Sequence, residues 1–300
     1  MTTTYAYYPG CSLHSTAAEY DMSFRAVCDV LEVDLREVKG WICCGTSPAH
    51  STSRLLSHAL PMKNLSLAEQ MGLTEVTAPC AACFARLRTS LYEAKRDPEL
   101  HRQLQAVVDG PIPELVSVIH PLEILGALGP EIAEATTHDL SELAVVCYYG
   151  CLLTRPPKVM QFDECETPSS MDRLLGFLGI RTLDWSCKTD CCGGALAMTE
   201  TDIMLKLTHD ILEEARGVGA DAIAVACPLC QANLDARQAE VEERYETRYG
   251  LPVLYFTQLM GLAFGISPKR LGLHKHLVGV DAVLESVAPV TEPARGAAYG

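Results

Sequence analysis

The sequence predicts an α/β protein of two homologous halves, each a mainly parallel sheet flanked by helices, the two related by a pseudo-two-fold. Three observations carry that prediction. A five-cysteine pattern occurs twice, short β-rich runs alternate with helical stretches in both halves, and the cysteines follow the predicted strands. In the first half the β-rich runs are residues 5–8, 38–42, 75–78 and 115–119, and helical spacing of apolar residues marks 17–32, 55–71 and 83–95. In the second half the strands fall at 143–149, 181–185, 222–226 and 253–256, and the helices at 169–178, 202–216 and 231–248. The repeat places the seam near residues 137–143, so the expected units are 1–138 and 139–290. Residues 291–300, rich in small residues, proline and glycine, are expected to form a mobile tail.

Composition removes several classes of function. Thirty-eight acidic against 24 basic residues leave a formal charge of −14 with no Lys/Arg run, so no nucleic-acid partner is expected. The 48% apolar content over 300 residues supports packed cores rather than disorder. The longest apolar stretch, 253–266, is interrupted by Thr257, Gln258 and two glycines, so no transmembrane segment is expected. No basic region followed by an apolar run opens the chain, which points to a cytoplasmic, reducing setting. Fourteen cysteines then need a reason other than disulfides.

Cys11, the pair Cys43 and Cys44, and Cys80-x-x-Cys83 form a first set; Cys151, Cys191 with Cys192, and Cys227-x-x-Cys230 form a second. Glycine precedes each leading cysteine (Gly10, Gly150) and follows each adjacent pair (Gly45, Gly193), which lets backbone approach a bulky ligand. Cys11, Cys80, Cys151 and Cys227 each follow a predicted strand, on the sheet edge where α/β proteins bind ligands. Helices expected to begin at Phe84 and Gln231 would turn their first N–H groups towards bound sulfur. Structural disulfides suit the reducing setting poorly. Four thiolates would satisfy tetrahedral zinc, which keeps a zinc-stabilised scaffold open, in one half at least. Adjacent cysteines are poor geometry for one closed ion, however, and a fifth thiol per half is left over. An iron–sulfur cluster uses all five, because several irons accept more than four sulfurs, one of them bridging. The compact ferredoxin run is absent, so the cluster type should be unusual.

The spacing C-x31-CCG-x34-C-x-x-C, followed by C-x39-CCG-x33-C-x-x-C, resembles the duplicated cysteine-rich CCG domain. With Tyr149-Gly-Cys-Leu-Leu-Thr-Arg-Pro156, Cys191-Cys-Gly-Gly-Ala195 and Ala226-Cys-Pro-Leu-Cys-Gln-Ala-Asn233, the chain resembles the heterodisulfide reductase B-subunit family over essentially its whole length. The resemblance implies a catalytic oxidoreductase subunit with two noncubane 4Fe–4S clusters facing each other across a disulfide. One cluster would take Cys11, Cys43, Cys44, Cys80 and Cys83; the other Cys151, Cys191, Cys192, Cys227 and Cys230. Each would supply one electron and bind one product sulfur through iron before protonation. The resemblance also implies partner chains, a ferredoxin-type iron–sulfur subunit and a flavin subunit, since this chain has no G-x-G-x-x-G after a strand and no ferredoxin motif. Related CCG proteins imply two alternatives. One is a subunit of a sulfur-oxidising assembly fed by a sulfur-carrier protein such as a lipoylated one. The other is an electron-transfer subunit of a succinate/fumarate or lactate/glycolate oxidoreductase, held at a membrane through its partners.

Splitting a disulfide takes two electrons and two protons, whereas a cluster passes one electron at a time, which gives duplication a chemical reason. Disulfide potentials of about −120 to −270 mV lie inside the cluster range of about −700 to +450 mV, so reduction and dithiol oxidation are both reachable. Candidate proton donors are His14, three residues after Cys11, and His50, six after Cys44. Arg155, with Lys158 and Arg86 as further cations near the motifs, is the candidate for binding an anionic substrate. His120 and His209 suit structural roles. Cys28 suits a helix core. Cys147 and Cys187 suit strand-end packing, with an auxiliary ligand or a redox-active thiol as the alternative. Cys165 sits among acidic neighbours that raise a thiol pKa.

Overall fold

The computed structural model describes residues 3–46 and 49–289; the tail expected at 291–300 lies outside the described residues. Two four-stranded sheets carry the fold, and every pairing in both is parallel. The first contains β1 (Thr4–Tyr7), β2 (Asp34–Glu37), β3 (Glu75–Thr77) and β4 (Ser117–Ile119), in the order β2-β1-β3-β4. The second contains β5 (Ala144–Tyr148), β6 (Arg181–Leu183), β7 (Ala222–Val225) and β8 (Val253–Tyr255), in the equivalent order β6-β5-β7-β8. In each sheet the chain leaves the first strand in one direction and later builds outwards in the other. A crevice therefore opens between β1 and β3, and between β5 and β7, beyond their carboxyl ends. These are the four strands after which Cys11, Cys80, Cys151 and Cys227 fall.

Helices cover both faces. β5 and β7 are buried at every residue, as continuous apolar runs must be in a parallel sheet layered on two sides. In the first half α1 (Ala18–Val30) buries Tyr20, Phe24 and Val27, one stripe at helical spacing. Next come α2 (Arg54–Gln70), capped by the Ser53 hydroxyl, and α3 (Ala81–Arg96). The second half has α4 (Ser170–Gly176), α5 (Thr201–Gly217) and α6 (Phe256–Ala263), and α6 packs on α1 across the halves, with Ser23 Oγ 2.7 Å from Thr257 Oγ1. His138–Asp139 at the seam pairs antiparallel with Ala288–Pro289. Among the described residues no helix is long and apolar enough to cross a membrane.

The fold class matches the expectation, and three local details differ. The strand expected at 38–42 is Asp34–Glu37, and the apolar residues after it instead lead the chain to the first cysteine pair. The helices expected from Phe84 and Gln231 begin three residues earlier, at Ala81 and Pro228, because alanine and a first-turn proline favour helix there. The helix expected over 231–248 is interrupted by a wide turn at Ala232–Ala236 before Gln238–Tyr245. Two buried polar side chains explain that widening. Asn233 Nδ2 donates to the Cys192 carbonyl at 2.8 Å, and the Asp235 carboxylate accepts from the Leu277 and Val278 N–H groups at 2.9 and 3.1 Å.

Candidate metal centre

The two cysteine sets are built by the same local devices. Gly10 and Gly150, each with φ +67°, turn the chain from the strand into Cys11 and Cys151. A Cβ would stand 3.1 Å from Cys83 Sγ at Gly10 and 2.9 Å from Cys230 Sγ at Gly150. Both the left-handed backbone and the space taken by the last sulfur of each set therefore demand glycine. The Tyr8 hydroxyl donates to the Ile42 carbonyl at 2.8 Å, and the Tyr148 hydroxyl to the Asp190 carbonyl at 2.6 Å. These struts tie the first cysteine loop of each half to the residue before the adjacent pair. In both pairs the following glycine N–H points at the first sulfur, Gly45 to Cys43 at 3.4 Å and Gly193 to Cys191 at 3.3 Å.

All ten motif thiols form one band. Cys11 lies 4.0 Å from Cys43, Cys44 lies 3.2 Å from Cys83, and Cys192 lies 3.8 Å from Cys230, measured between sulfurs. Cys151 and Cys191, Cys80 and Cys83, and Cys227 and Cys230 also lie close enough to shift one another's titration. The Cys80 and Cys227 thiols, one from each set, also lie close enough to shift each other's titration, so the two sets adjoin there. Six sulfur-bearing residues at that meeting point are buried (Cys44, Cys80, Cys83, Cys192, Cys227, Cys230), whereas Cys11, Cys43 and Cys191 are exposed and Cys151 is half-buried.

Charge is divided along the band. The hydrogen bond from Cys83, helped by Thr46, holds Cys44 down at about 6, and the bond from Cys151 holds Cys191 at about 6. Bonds from Cys230 and Cys80 hold Cys227 well below the usual thiol value. The donors undergo the opposite shift: the bond to Cys227 raises Cys80, that to Cys44 raises Cys83, that to Cys192 raises Cys230, and that to Cys191 raises Cys151. All fourteen cysteines are free thiols.

A cavity of about 590 Å³ opens on this band. All five thiols of the second set, Cys151, Cys191, Cys192, Cys227 and Cys230, line it, and Thr46, His50, Ala81 and Arg86 of the first half form part of its wall. His50 Nδ1 lies 2.9 Å from the Thr46 carbonyl, which accepts only, so Nδ1 carries hydrogen and Nε2 is left for exchange. The Arg86 guanidinium also leans on the Thr46 carbonyl, at 3.5 Å.

The other predicted residues fall elsewhere. His14 stacks edge-on to Trp41 with ring centres 5.1 Å apart, and its Nε2 lies 3.4 Å from Glu37, in a separate depression. The Arg155 guanidinium is committed to an ion pair with Glu166 and to Thr189, donating to its carbonyl and hydroxyl at 2.9 Å each. Lys158 is exposed. Cys28 and Cys147 are buried, and burial pushes both thiols up; burial also lifts Cys187 to about 11. Cys165 stands beside Glu164 and Glu166 with its pKa raised by desolvation and those carboxylates. His209 stacks on Tyr245 at 3.8 Å.

His120 is more closely tied to the site than a strand-end position suggests. Its Nδ1 accepts from the Leu122 N–H at 3.2 Å, so Nε2 carries hydrogen and donates to the Pro79 carbonyl at 3.1 Å, one residue before Cys80. The Ala226 backbone, one residue before Cys227, also lies close enough to influence its imidazole. Tyr8 and Tyr148 are site residues that cysteine spacing does not reveal. Their signal is a tyrosine three residues before each leading cysteine, in Tyr8-Pro-Gly-Cys11 and Tyr148-Tyr-Gly-Cys151.

Fold and site together define a duplicated α/β protein that carries a repeated set of cysteines at the switch points of its two sheets. The chain belongs to the cysteine-rich CCG domain family, whose pattern matches residues 5–88 and again 145–235. It is 31% identical over 281 residues to the 8-methylmenaquinol:fumarate reductase membrane anchor subunit of Wolinella succinogenes, covering 93% of this chain and 98% of that one. It is 30% identical over 280 residues to the B subunit of the ferredoxin/F(420)H(2)-dependent CoB-CoM heterodisulfide reductase of Methanosarcina acetivorans, covering 90% and 92%. Among solved structures, a hypothetical protein from Helicobacter pylori superposes with a TM-score of 0.72 at 12% identity. The match spans 93% of this chain but only about half (52%) of that one, and it speaks for the fold alone.

Proposed function

We propose that the chain is an iron–sulfur subunit of a heterodisulfide reductase-like complex in the cytoplasm, working at a disulfide/dithiol couple, with cluster-binding units at residues 1–138 and 139–290. The donor set supports the group. The motif thiols approach in pairs, Cys11–Cys43 at 4.0 Å, Cys44–Cys83 at 3.2 Å and Cys192–Cys230 at 3.8 Å, although among the described residues no group of three or more is placed to hold a metal ion as it stands, and the missing Cβ atoms of Gly10 and Gly150 leave space beside Cys83 and Cys230. Cys11, Cys43, Cys44, Cys80 and Cys83 would hold one cluster, and Cys151, Cys191, Cys192, Cys227 and Cys230 the other, with the noncubane type favoured by five thiols per half. When bound, such clusters supply electrons one at a time.

The observation that carries the reading is the cavity, which presents every thiol of the second set to a wall made by the first half. Within it Arg86 offers positive charge to an anionic substrate arm, and His50 Nε2 is placed to give or take a proton as sulfur changes between disulfide and thiol. Electrons would be exchanged with partner chains, a ferredoxin-type subunit and a flavin subunit. Iron and acid-labile sulfide are measured on anaerobically prepared protein, then thiol release from candidate disulfides with a reduced viologen. About eight irons per chain and thiol release are expected; zinc with little iron overturns the reading.

One observation favours a second reading. Leu152, Leu229, Ala81 and Ala195 give the cavity apolar walls, and the Wolinella relative is named for a quinol:fumarate reductase. Iron-loaded protein that reduces or oxidises a quinone and is inert to every disulfide supports this electron-transfer role instead.

A further inference from the structure

The chain around each adjacent cysteine pair, 41–45 and 190–193, belongs to no helix or strand, so its backbone polar groups need partners from elsewhere. Two buried asparagines supply them. Asn64, on α2, accepts from the Ile42 N–H through Oδ1 at 2.8 Å and donates through Nδ2 to the Ile42 carbonyl at 3.0 Å, with a further bond to the Leu60 carbonyl of its own helix at 3.1 Å. One amide thus grips both polar groups of the residue before Cys43, as a neighbouring strand would. Asn233, in the wide turn after Cys230, donates to the Cys192 carbonyl at 2.8 Å, and the Thr208 hydroxyl of α5 donates to the same carbonyl at 3.3 Å.

Asn64 is 2% exposed and Asn233 4%. Asparagine is a poor helix former, and a buried amide destabilises the fold unless it is hydrogen-bonded. An apolar side chain would pack at least as well in either place, so what these amides add is the hold on the cysteine loops. The two holds do not come from repeated positions. Asn233 stands three residues after Cys230, whereas the residue three after Cys83 is Arg86, which lines the cavity. In the first half the hold comes from α2 instead, and it acts on the residue ahead of the pair rather than on the pair's own last carbonyl.

We infer that Asn64 and Asn233 are positioning residues, one for each set, which fix the direction in which the adjacent cysteines present their sulfurs to a metal, and that Asn64 does for the first half what Asn233 does for the second, leaving the position of Arg86 to the cavity. Groups that orient metal ligands from behind typically change metal affinity by about 10–100-fold when removed. The identity of the metal rests on the iron–sulfur reading above; the two holds themselves are contacts of the metal-free chain.

The experiment uses full-length Asn64→Leu and Asn233→Leu, which keep side-chain size and lose the amide. After anaerobic loading, iron is counted, the remaining reactive thiols are alkylated and located by peptide mass, and helix content of the metal-free variants is compared by circular dichroism. Asn64→Leu should lose about 10–100-fold in metal affinity at the first set, leaving Cys11, Cys43 and Cys44 open to alkylation while the second set stays protected. Asn233→Leu should do the reverse, opening Cys191 and Cys192. Thr208→Val, which removes only the longer bond to the Cys192 carbonyl, should give a smaller loss confined to the second set. If a leucine variant lacks the parental helix content, Asn64→Ala or Thr208→Val read by the same measurement decides for that set. Full protection of both sets in both variants overturns the inference, as does equal exposure of both sets in either, which marks general destabilisation. A parent chain that takes up zinc and no iron sinks the iron–sulfur reading, and alkylation of the zinc-loaded variants then decides for the asparagines separately. A parent whose thiols neither metal protects overturns both.

Discussion

Cys80 and Cys227, equivalent residues of the two halves, lie close enough that each shifts the other's thiol, Cys80 up and Cys227 down. Each follows the third strand of its sheet and immediately precedes a helix, and His120 reaches the backbone just before both.

Gly150→Ala should disable the second set more severely than Gly10→Ala disables the first. The new methyl would stand 2.9 Å from Cys230 Sγ against 3.1 Å from Cys83 Sγ, and both positions carry φ +67°. Left-handed strain alone costs roughly 1–2 kcal/mol. Iron per chain should fall to about half that of the parent in Gly150→Ala, with helix content retained by circular dichroism; full loading would refute the steric argument.

Tyr148→Phe should cost more stability than Tyr8→Phe. The Ile42 carbonyl keeps a second donor, Asn64 Nδ2 at 3.0 Å, when the Tyr8 hydroxyl is lost, whereas Tyr148 is the side-chain donor to Asp190. Chemical denaturation of the metal-free chain should give about 1–3 kcal/mol for Tyr148→Phe and about 1 kcal/mol or less for Tyr8→Phe. Equal losses would contradict the difference in backup.

Acid should weaken the metal-free fold through His120. Burial pushes this imidazole down to about 4, against roughly 6.5 in the unfolded chain. Between those values the unfolded chain binds a proton that the folded chain refuses. The contribution is therefore complete above roughly pH 6.5 and is lost as pH falls towards 4, by about 3 kcal/mol at most. His120→Gln, which retains a donor for the Pro79 carbonyl, should show a flatter dependence of the denaturation midpoint between pH 7 and 5. An unchanged slope would remove His120 as the cause.

Arg86→Gln should raise KM for an anionic disulfide or thiol by on the order of three- to ten-fold, up to about 1.4 kcal/mol, with kcat less affected. Arg155→Gln should leave KM near that of the parent, because its guanidinium is occupied by Glu166 and Thr189 rather than facing the cavity. Steady-state kinetics on the loaded complex decide it, and the reverse ranking would return substrate binding to Arg155.

The helix starts show how far local signals reach. Spacing located the C-x-x-C pairs, yet it put the helices after them, since nothing in Cys80-Ala-Ala-Cys83 marks a helix cap. The structure runs helix through both pairs and leaves Cys80 and Cys227 as the residues before it. Tyrosine three residues before each leading cysteine was visible as a repeat, but its strut to the adjacent pair spans 34 residues in one half and 42 in the other.

By itself the sequence determined the two parallel sheets, the strand ends that carry the cysteines and the glycines beside them. Those follow from side-chain periodicity and from φ angles that few residues adopt. Only the tertiary structure decided that Cys80 meets Cys227, that Tyr20 stacks on Tyr255, and that Arg86 rather than Arg155 looks into the cavity. Those contacts join residues up to 235 positions apart, and they exist because α6 of the second half packs on α1 of the first. The way two packed faces settle against each other depends on the shape of the whole surface, which no short window of sequence encodes.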